Sequence, residues 1–571
     1  MRGWGIYECA EEMELYGAGA GGAADDLRGI DGTGGGDYAE GWGLDGMGVD
    51  WAAYRDHRDT GFEHTVGDGR ESSDEGLEDC VWHCLFRRAY VYQLRGFFCR
   101  LCRWVVNCGP FPYMMSLNLT TETVLKRTMS RCPVCREAVG AEVVRVTRGK
   151  EAKVYLRRRC AEHGEAAVCI ASDARFYWMA QGDPENACCG GTACCASDEG
   201  RAGTLGRNAA GRGDGPFERL STCLALIEIV NSCNLACPTC FADSPVGATG
   251  AKLDAIPLED IQRRIDGVIE RKGPIEILQL SGGEPTLHPR FIELLEWTQG
   301  HPKIGYVLLN TNGVRLATDE EFARQVGETF VARRFQLYLQ FDGPQEAGQR
   351  ALRGADLRGM RERAIRRCDA MGLPVTLAMT VTPENLGHVW EAIEYGLGFA
   401  NVRGVAFQPM FLSGRTGGGA MMPAPQERLN TADVILAAVG QAGGKLRFED
   451  FTPLPCGDPN CATIGYLLKT PLGVRSVSEF IDFAEMQGFL HDKINYSLED
   501  LSQCGCENEP LAEMLKAFEL KEPDTFRLFI KPFMDAWTWD QDRIDRCCTH
   551  VIRPDGQLDS FCRYYSGFAT A

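Results

Sequence analysis

Strand and helix signals alternate strictly over residues 215–412, which predicts an α/β fold built as a partial (β/α)6 TIM-like barrel. Two further observations support it. Each apolar run ends in a polar or glycine-rich segment, as expected where reactive groups gather at the C-terminal mouths of barrel strands. Cysteines also cluster before and after the alternating region, which predicts a small N-terminal metal-binding module and a C-terminal cysteine-rich domain.

The β-rich runs are 226–230, 275–280, 306–309, 337–341, 375–381 and 405–410. Between them lie helical patterns. Ile261, Ile265, Val268 and Ile269 form one apolar stripe, behind Pro257 at a first helical position. Phe291, Leu294, Leu295 and Trp297 form another. Six β/α units in series give a parallel sheet with its helices outside, because crossovers between parallel strands are right-handed.

A chain of 571 residues exceeds one hydrophobic core. Residues 1–113 open Gly- and Asp-rich, without apolar periodicity, and read as disordered or as an over-extended start, Met114 and Met115 leading into ordinary sequence. Within them, the basic aromatic segment 81–108 reads as a membrane-surface helix or a ligand set. Residues 114–185 are expected to form a rubredoxin- or zinc-ribbon-like module, 186–222 a cysteine-containing linker, 223–415 the barrel and 416–571 the C-terminal domain.

The net charge of −19 excludes nucleic-acid backbone binding as the main task. No apolar run reaches the roughly 18 residues of a membrane span, so a lipid substrate would be met peripherally, at the inner membrane face. No secretory signal opens the chain. A cytoplasmic, reducing location makes its 26 cysteines metal or cluster ligands rather than a disulfide framework.

Cys132-Pro-Val-Cys135 and Cys160-Ala-Glu-His163 are two knuckles that complete a tetrahedral site for zinc or mononuclear iron. The first barrel strand runs into Cys233-Asn-Leu-Ala-Cys237-Pro-Thr-Cys240. Three thiolates on one loop bind three corners of a cubane and leave one iron open, whereas electron-transfer clusters use four. An open iron chelates the amino and carboxylate groups of a methionine moiety. The second strand runs into Gly282-Gly283-Glu284-Pro285, where glycine permits close backbone approach. Asn312, Asp342 and Gln408 end later strands on the same rim.

With CxxxCxxC, GGEP and a partial barrel in order, the chain resembles the radical S-adenosylmethionine (SAM) superfamily. The resemblance implies that Cys233, Cys237 and Cys240 bind a 4Fe-4S cluster and that Gly282, Gly283 and Glu284 meet the methionine end of SAM. It makes Asn312, Asp342 and Gln408 ribose or adenine contacts. A 5'-deoxyadenosyl radical would follow on one-electron reduction by a partner such as ferredoxin or flavodoxin.

Outside the barrel, Cys188, Cys189, Cys194, Cys195 and Cys223 are candidate ligands of one auxiliary 4Fe-4S cluster. Cys456, Cys461, Cys547, Cys548 and Cys562 are candidates for a second. Cys504 and Cys506 form a looser pair that joins it, ligates elsewhere or does nothing. The order CPVC, CxxHG, CNLACPTCFA, SGGEP, PLPC and CCTH…FC resembles the tetraether lipid synthase family, which implies coupling of isoprenoid lipid chains. Relatives in that family are methyltransferases acting on 7,8-dihydro-6-hydroxymethylpterin. This chain departs from the family at CCGGTACC, where a CPxDCGLC-like run is usual. Three functions therefore compete: a lipid C–C coupling enzyme, a radical methyltransferase acting on a pterin or other small molecule, and a non-catalytic iron-sulfur electron carrier.

Overall fold

The computed structural model describes residues 120–179, 222–245, 253–416, 428–454, 457–480 and 524–567, all within the compact unit Met114–Ala571. The expectations for the N-terminal stretch, for Cys188, Cys189, Cys194 and Cys195, and for Cys456, Cys504 and Cys506 lie outside the described residues.

The N-terminal module is an antiparallel meander of β1 (Thr120–Arg131), β2 (Ala138–Arg148), β3 (Glu151–Cys160) and β4 (Gly164–Ala171). Its core is small: Val143, Val154, Leu156 and Val168 are buried on one face by the two-residue alternation of the strands. β1 and β3 run the same way, so the turns after them share one end of the sheet. That topology brings the two knuckles together. The module docks through polar ties, Thr128 Oγ1 donating to Asp540 at 2.8 Å and the buried Arg158 donating to the Trp537 carbonyl at 2.7 Å.

The barrel strands are β5 (Leu224–Val230), then, after the two-residue β6 (Thr239–Cys240), β7 (Ile275–Gly282), β8 (Ile304–Thr311), β9 (Phe335–Gln340), β10 (Val375–Val381) and β11 (Val402–Pro409). All six are parallel, in the order β5, β7, β8, β9, β10, β11. Each expected run is found, with its ends shifted by no more than three residues; the strands expected to reach Phe341 and Met410 stop one residue earlier. The helix Leu258–Lys272 buries Ile261, Ile265, Val268 and Ile269 as the stripe requires, but Pro257 caps the helix instead of opening it. The helix Phe291–Gly300 buries Leu294 and Leu295.

Beyond the barrel, β12 (Arg415–Thr416) pairs with β6, and β13 (Thr452–Pro453), β14 (Thr463–Thr470) and β15 (Gly473–Ser476) form a small antiparallel group. β16 (Thr525–Ile530) joins β14 to the free edge of β11. β17 (Thr549–Ile552) lies parallel to β5 and carries β18 (Leu558–Ser560). The C-terminal region thus covers both edges of the barrel sheet, which removes exposed strand edges and closes the flanks of the site. Phe526, Leu528 and Ile530 of β16 are core, 0–1% exposed. No described helix is long and apolar enough to cross a membrane.

Candidate active site

The two knuckles of the N-terminal module converge. The Sγ atoms of Cys132, Cys135 and Cys160 and a ring nitrogen of His163 all lie within 4.8 Å of one another. Cys135 Sγ and Cys160 Sγ are 3.8 Å apart and Cys160 Sγ lies 3.6 Å from His163 Nδ1. A tetrahedron with metal–sulfur bonds of about 2.3 Å has edges of about 3.8 Å, so this donor set fits a single metal ion. The backbone N–H groups of His163 and Glu162 point at Cys160 and lower its thiol from the usual value, which favours the ligating thiolate.

At the mouth of β5, the loop 231–245 is cinched from several sides. Cys233 N donates to the Pro245 carbonyl at 3.0 Å, Asn231 bonds Asp254, and the β6–β12 pair holds the Cys240 end. Arg415 Nε donates to the Cys237 carbonyl at 2.8 Å. Donors also approach the sulfurs. Leu235 N and Asn312 Nδ2 reach Cys233 Sγ at 3.5 and 3.8 Å, and the Arg353 guanidinium lies beside Cys237. Burial first, with Glu284 and the neighbouring Cys237 and Cys240 adding to it, pushes the Cys233 thiol up to about 12. Three thiols on one loop, with N–H donors at the Cys233 sulfur, suit a cluster, whose positive iron stabilises the thiolates.

The glycine pair packs tightly against the cysteine loop. A Cβ on Gly282 would stand 2.2 Å from the Val230 carbonyl oxygen, and one on Gly283 2.2 Å from that of Ser232. The close approach is therefore to the cysteine loop's own backbone, fixed by Gly283 N to Val230 O at 2.6 Å and Glu284 N to Ser232 O at 3.0 Å. Glu284 is 1% exposed. It accepts from Thr286 N, Thr286 Oγ1, Thr311 Oγ1 and Asn312 N, at 3.2, 2.6, 2.7 and 2.8 Å. It ties β7 to β8 beneath the loop, and burial raises its carboxyl above the usual value despite those donors.

Asp342 departs from expectation. Its φ is 62°, and its two oxygens accept from Gln340, Thr380 N, Arg353 and Arg361 at 2.7–3.1 Å. Those donors leave it no capacity for a ribose hydroxyl. Burial would raise this carboxyl, but Arg353 and Arg361 outweigh it and hold it well below the usual carboxylate range. Asp342 is the anchor of Arg353, and through it of Cys237. Asn312 faces the loop, donating to Asn234 Oδ1 at 2.7 Å. Gln408 instead lines the barrel interior, bonded to Tyr338 at 2.8 Å.

Among the C-terminal cysteines, Cys547 is raised by burial and then by its neighbours Cys548 and Cys562, and Cys562 in turn by burial and by Cys461. Four thiols thus share one region, with Arg543 bonded to Cys461. Cys223, grouped with Cys188 in the sequence, donates its N–H to the Cys548 carbonyl at 3.1 Å and so starts β5 beside this group. His550 bonds Thr222 and the Cys547 carbonyl and is fully buried, a core residue.

Inside the barrel lies a cavity of about 190 Å³. Alternate residues of the strands face it, as the pleat requires. Amides from Gln279, Asn310, Gln336, Gln340 and Gln408 form one side, and Cys461 and Cys548 stand in its wall. Phe533 and Phe561, stacked with centroids 4.2 Å apart, line it together with Phe241, the residue after Cys240.

Residues 227–396 match the Radical SAM superfamily family model. This chain carries a radical SAM domain. Its metal-binding tetrad falls within residues 124–172, which match the HMPTM N-terminal zinc ribbon domain. Over 508 residues, 77% of this chain and 93% of the relative, it is 25% identical to 7,8-dihydro-6-hydroxymethylpterin dimethyltransferase of Methanocaldococcus jannaschii. Mycofactocin maturase MftC of Mycobacterium ulcerans is 30% identical over 28% of this chain and 41% of that one. Among solved structures, native anSMEcpe with bound AdoMet and Cp18Cys peptide aligns over 50% of this chain and 87% of that one, at 18% identity and a TM-score of 0.30. The superfamily's cofactors are a 4Fe-4S cluster and SAM.

Sequence reasoning missed Arg353, Arg361, Arg415 and Arg543, since nothing local distinguishes a cysteine-facing arginine from a surface one. The interior amides were readable: Gln336, Tyr338 and Gln340 follow the period of two along a single strand.

Proposed function

We propose that this chain is a radical SAM methyltransferase whose substrate is a small nitrogen heterocycle of the pterin class. The observation that carries the reading is the barrel cavity, about 190 Å³ and bordered by five amide side chains. It is smaller than the ~300–1,000 Å³ of typical drug-sized sites. Two isoprenoid chains need a long channel that is apolar throughout, whereas five amides interrupt the otherwise largely apolar lining of this cavity. The 25% identity to a pterin dimethyltransferase over 93% of its length supports the same choice.

When bound, the cluster and SAM supply a strongly oxidising carbon radical able to abstract hydrogen from an unactivated position. The chain's own residues position and shield. Glu284 and the glycine pair fix the cysteine loop on the rim, Asp342 holds Arg353 beside Cys237, and the Phe241, Phe533 and Phe561 rings give the cavity an apolar wall.

The test is anaerobic turnover of the reconstituted enzyme with SAM, reductant and 7,8-dihydro-6-hydroxymethylpterin, followed by mass spectrometry. A product carrying one or two added methyl groups supports the proposal. An unmodified pterin, together with loss of chain-linked lipids from cells lacking the gene, would return the lipid-coupling reading.

A further inference from the structure

The barrel cavity has a hydrogen-bond polarity of its own. Gln340 Nε2 donates to Asp342 Oδ1 at 2.7 Å and to the Ala378 carbonyl at 3.4 Å. Both partners can only accept, so the Gln340 amide is fixed with its NH2 toward the protein and its carbonyl oxygen free. Asn310 Nδ2 donates to Ser281 Oγ at 3.1 Å and Gln408 Nε2 to Tyr338 Oη at 2.8 Å, so in this arrangement their NH2 groups are also turned to the protein. Gln279 has no side-chain hydrogen bond to a described residue. Three amide oxygens, from β8, β9 and β11, therefore have no side-chain donor among the described residues, and the Gln279 amide on β7 has both its oxygen and its NH2 open to the cavity. The cationic side chains on its lining, Arg527 and Lys531, come from β16 and the segment after it.

Partly buried polar groups of this kind require complementary partners, and a ligand that lacks them leaves the acceptors unsatisfied. We infer that Gln279, Asn310, Gln340 and Gln408 form an acceptor wall that reads the N–H groups of a planar heterocycle, while Arg527 and Lys531 donate to a carbonyl on the ligand's other edge. The inference rests on the proposed function and deepens it. A pterin presents this pattern, an amino group and ring N–H donors beside an exocyclic carbonyl. The wall is also connected to the cysteine loop. Gln340 bonds Asp342, Asp342 holds Arg353, and Arg353 lies beside Cys237, so one chain of neighbours links the wall to the loop.

Gln279 is the residue to change, because it can be replaced without removing a side-chain hydrogen bond to a described residue. The full-length protein, reconstituted anaerobically and kept without reductant, is titrated with 6-hydroxymethylpterin, read by the ligand's fluorescence. The analogue with a 2-dimethylamino group, which lacks the amino N–H, is titrated in parallel. The wall predicts that Gln279→Leu weakens pterin binding about tenfold, that Gln279→Glu keeps an acceptor and stays within about threefold of wild type, and that the dimethylamino analogue binds about tenfold less tightly to wild type than the pterin does. Pterin binding that is unchanged in Gln279→Leu and insensitive to the dimethyl group overturns the acceptor wall and leaves the pterin reading standing. Failure of the pterin to bind, with guanine binding and losing about tenfold in Gln279→Leu, upholds the wall and overturns the pterin reading. Binding of neither heterocycle overturns both.

Discussion

Replacing Gly283 by alanine separates two roles for the glycine pair. Its backbone needs no positive φ, so the whole effect is steric. The added Cβ would stand 2.2 Å from Ser232 O, 2.5 Å from Ser232 C and 2.6 Å from Asn231 O, all backbone atoms of the cysteine loop. Ordinary contact begins at about 3.4 Å, so the loop must retreat by about 1.2 Å. No flexible side-chain end is available to yield instead. Overpacking of this kind costs about 1–3 kcal/mol, and stretching the 3.0 Å bond from Glu284 N to Ser232 O adds about 1 kcal/mol. The expected total is about 2–4 kcal/mol, felt at the loop that carries Cys233. The assay is metal content and electron paramagnetic resonance after anaerobic reconstitution, with Gly140→Ala as control, since a Cβ at Gly140 meets nothing within 4 Å. Gly283→Ala should lose the barrel-site cluster signal and keep the N-terminal metal, while Gly140→Ala matches wild type. A Gly283→Ala protein with a full cluster signal and weakened SAM binding would refute the reasoning, because it would place the glycine against the cofactor and not against the loop.

Three other outcomes follow from the same geometry. Arg353→Met leaves the buried Asp342 with Arg361 alone and removes a donor from Cys237, which should cost about 3 kcal/mol in chemical denaturation and shift the barrel cluster's reduction potential negative, measured by redox titration. Cys135→Ser should release the N-terminal metal and lower the stability of the small β1–β4 core, yet leave SAM cleavage in place, as read by metal analysis, thermal unfolding and product assay. The folded Asp342 carboxyl lies below its unfolded value of about 3.9, so its stabilising contribution is present above that pH and fades as pH falls further toward the folded value. The stability gap between wild type and Asp342→Asn, measured by urea unfolding of the metal-free protein, should therefore be widest near neutrality and narrow below about pH 4.

Local chemistry made much of this molecule legible. The tetrad Cys132, Cys135, Cys160 and His163 could be named because knuckle spacing and a meander leave few other arrangements. The six barrel strands were visible as apolar runs because strands buried on both faces read as continuous hydrophobic segments. Long-range placement was not legible. Nothing in 525–530 or 549–552 announces that one segment pairs with β11 and the other with β5, since edge choice depends on the assembled sheet. Asp342 ends a strand as a ribose ligand would, and only the fold reveals that two arginines from later helices have already taken its oxygens. Gly282 and Gly283 signal a close approach in either case, and the sequence does not say to what.

The central claim is that Cys233, Cys237 and Cys240 form the open cluster site of a radical SAM enzyme. Its most direct test is the yield of 5'-deoxyadenosine from SAM and reductant under anaerobic conditions, comparing wild type with Cys237→Ala. The account predicts product from wild type and none from the variant, with the N-terminal metal retained in both. Product from Cys237→Ala at the wild-type rate, or none from a fully reconstituted wild type, would contradict it.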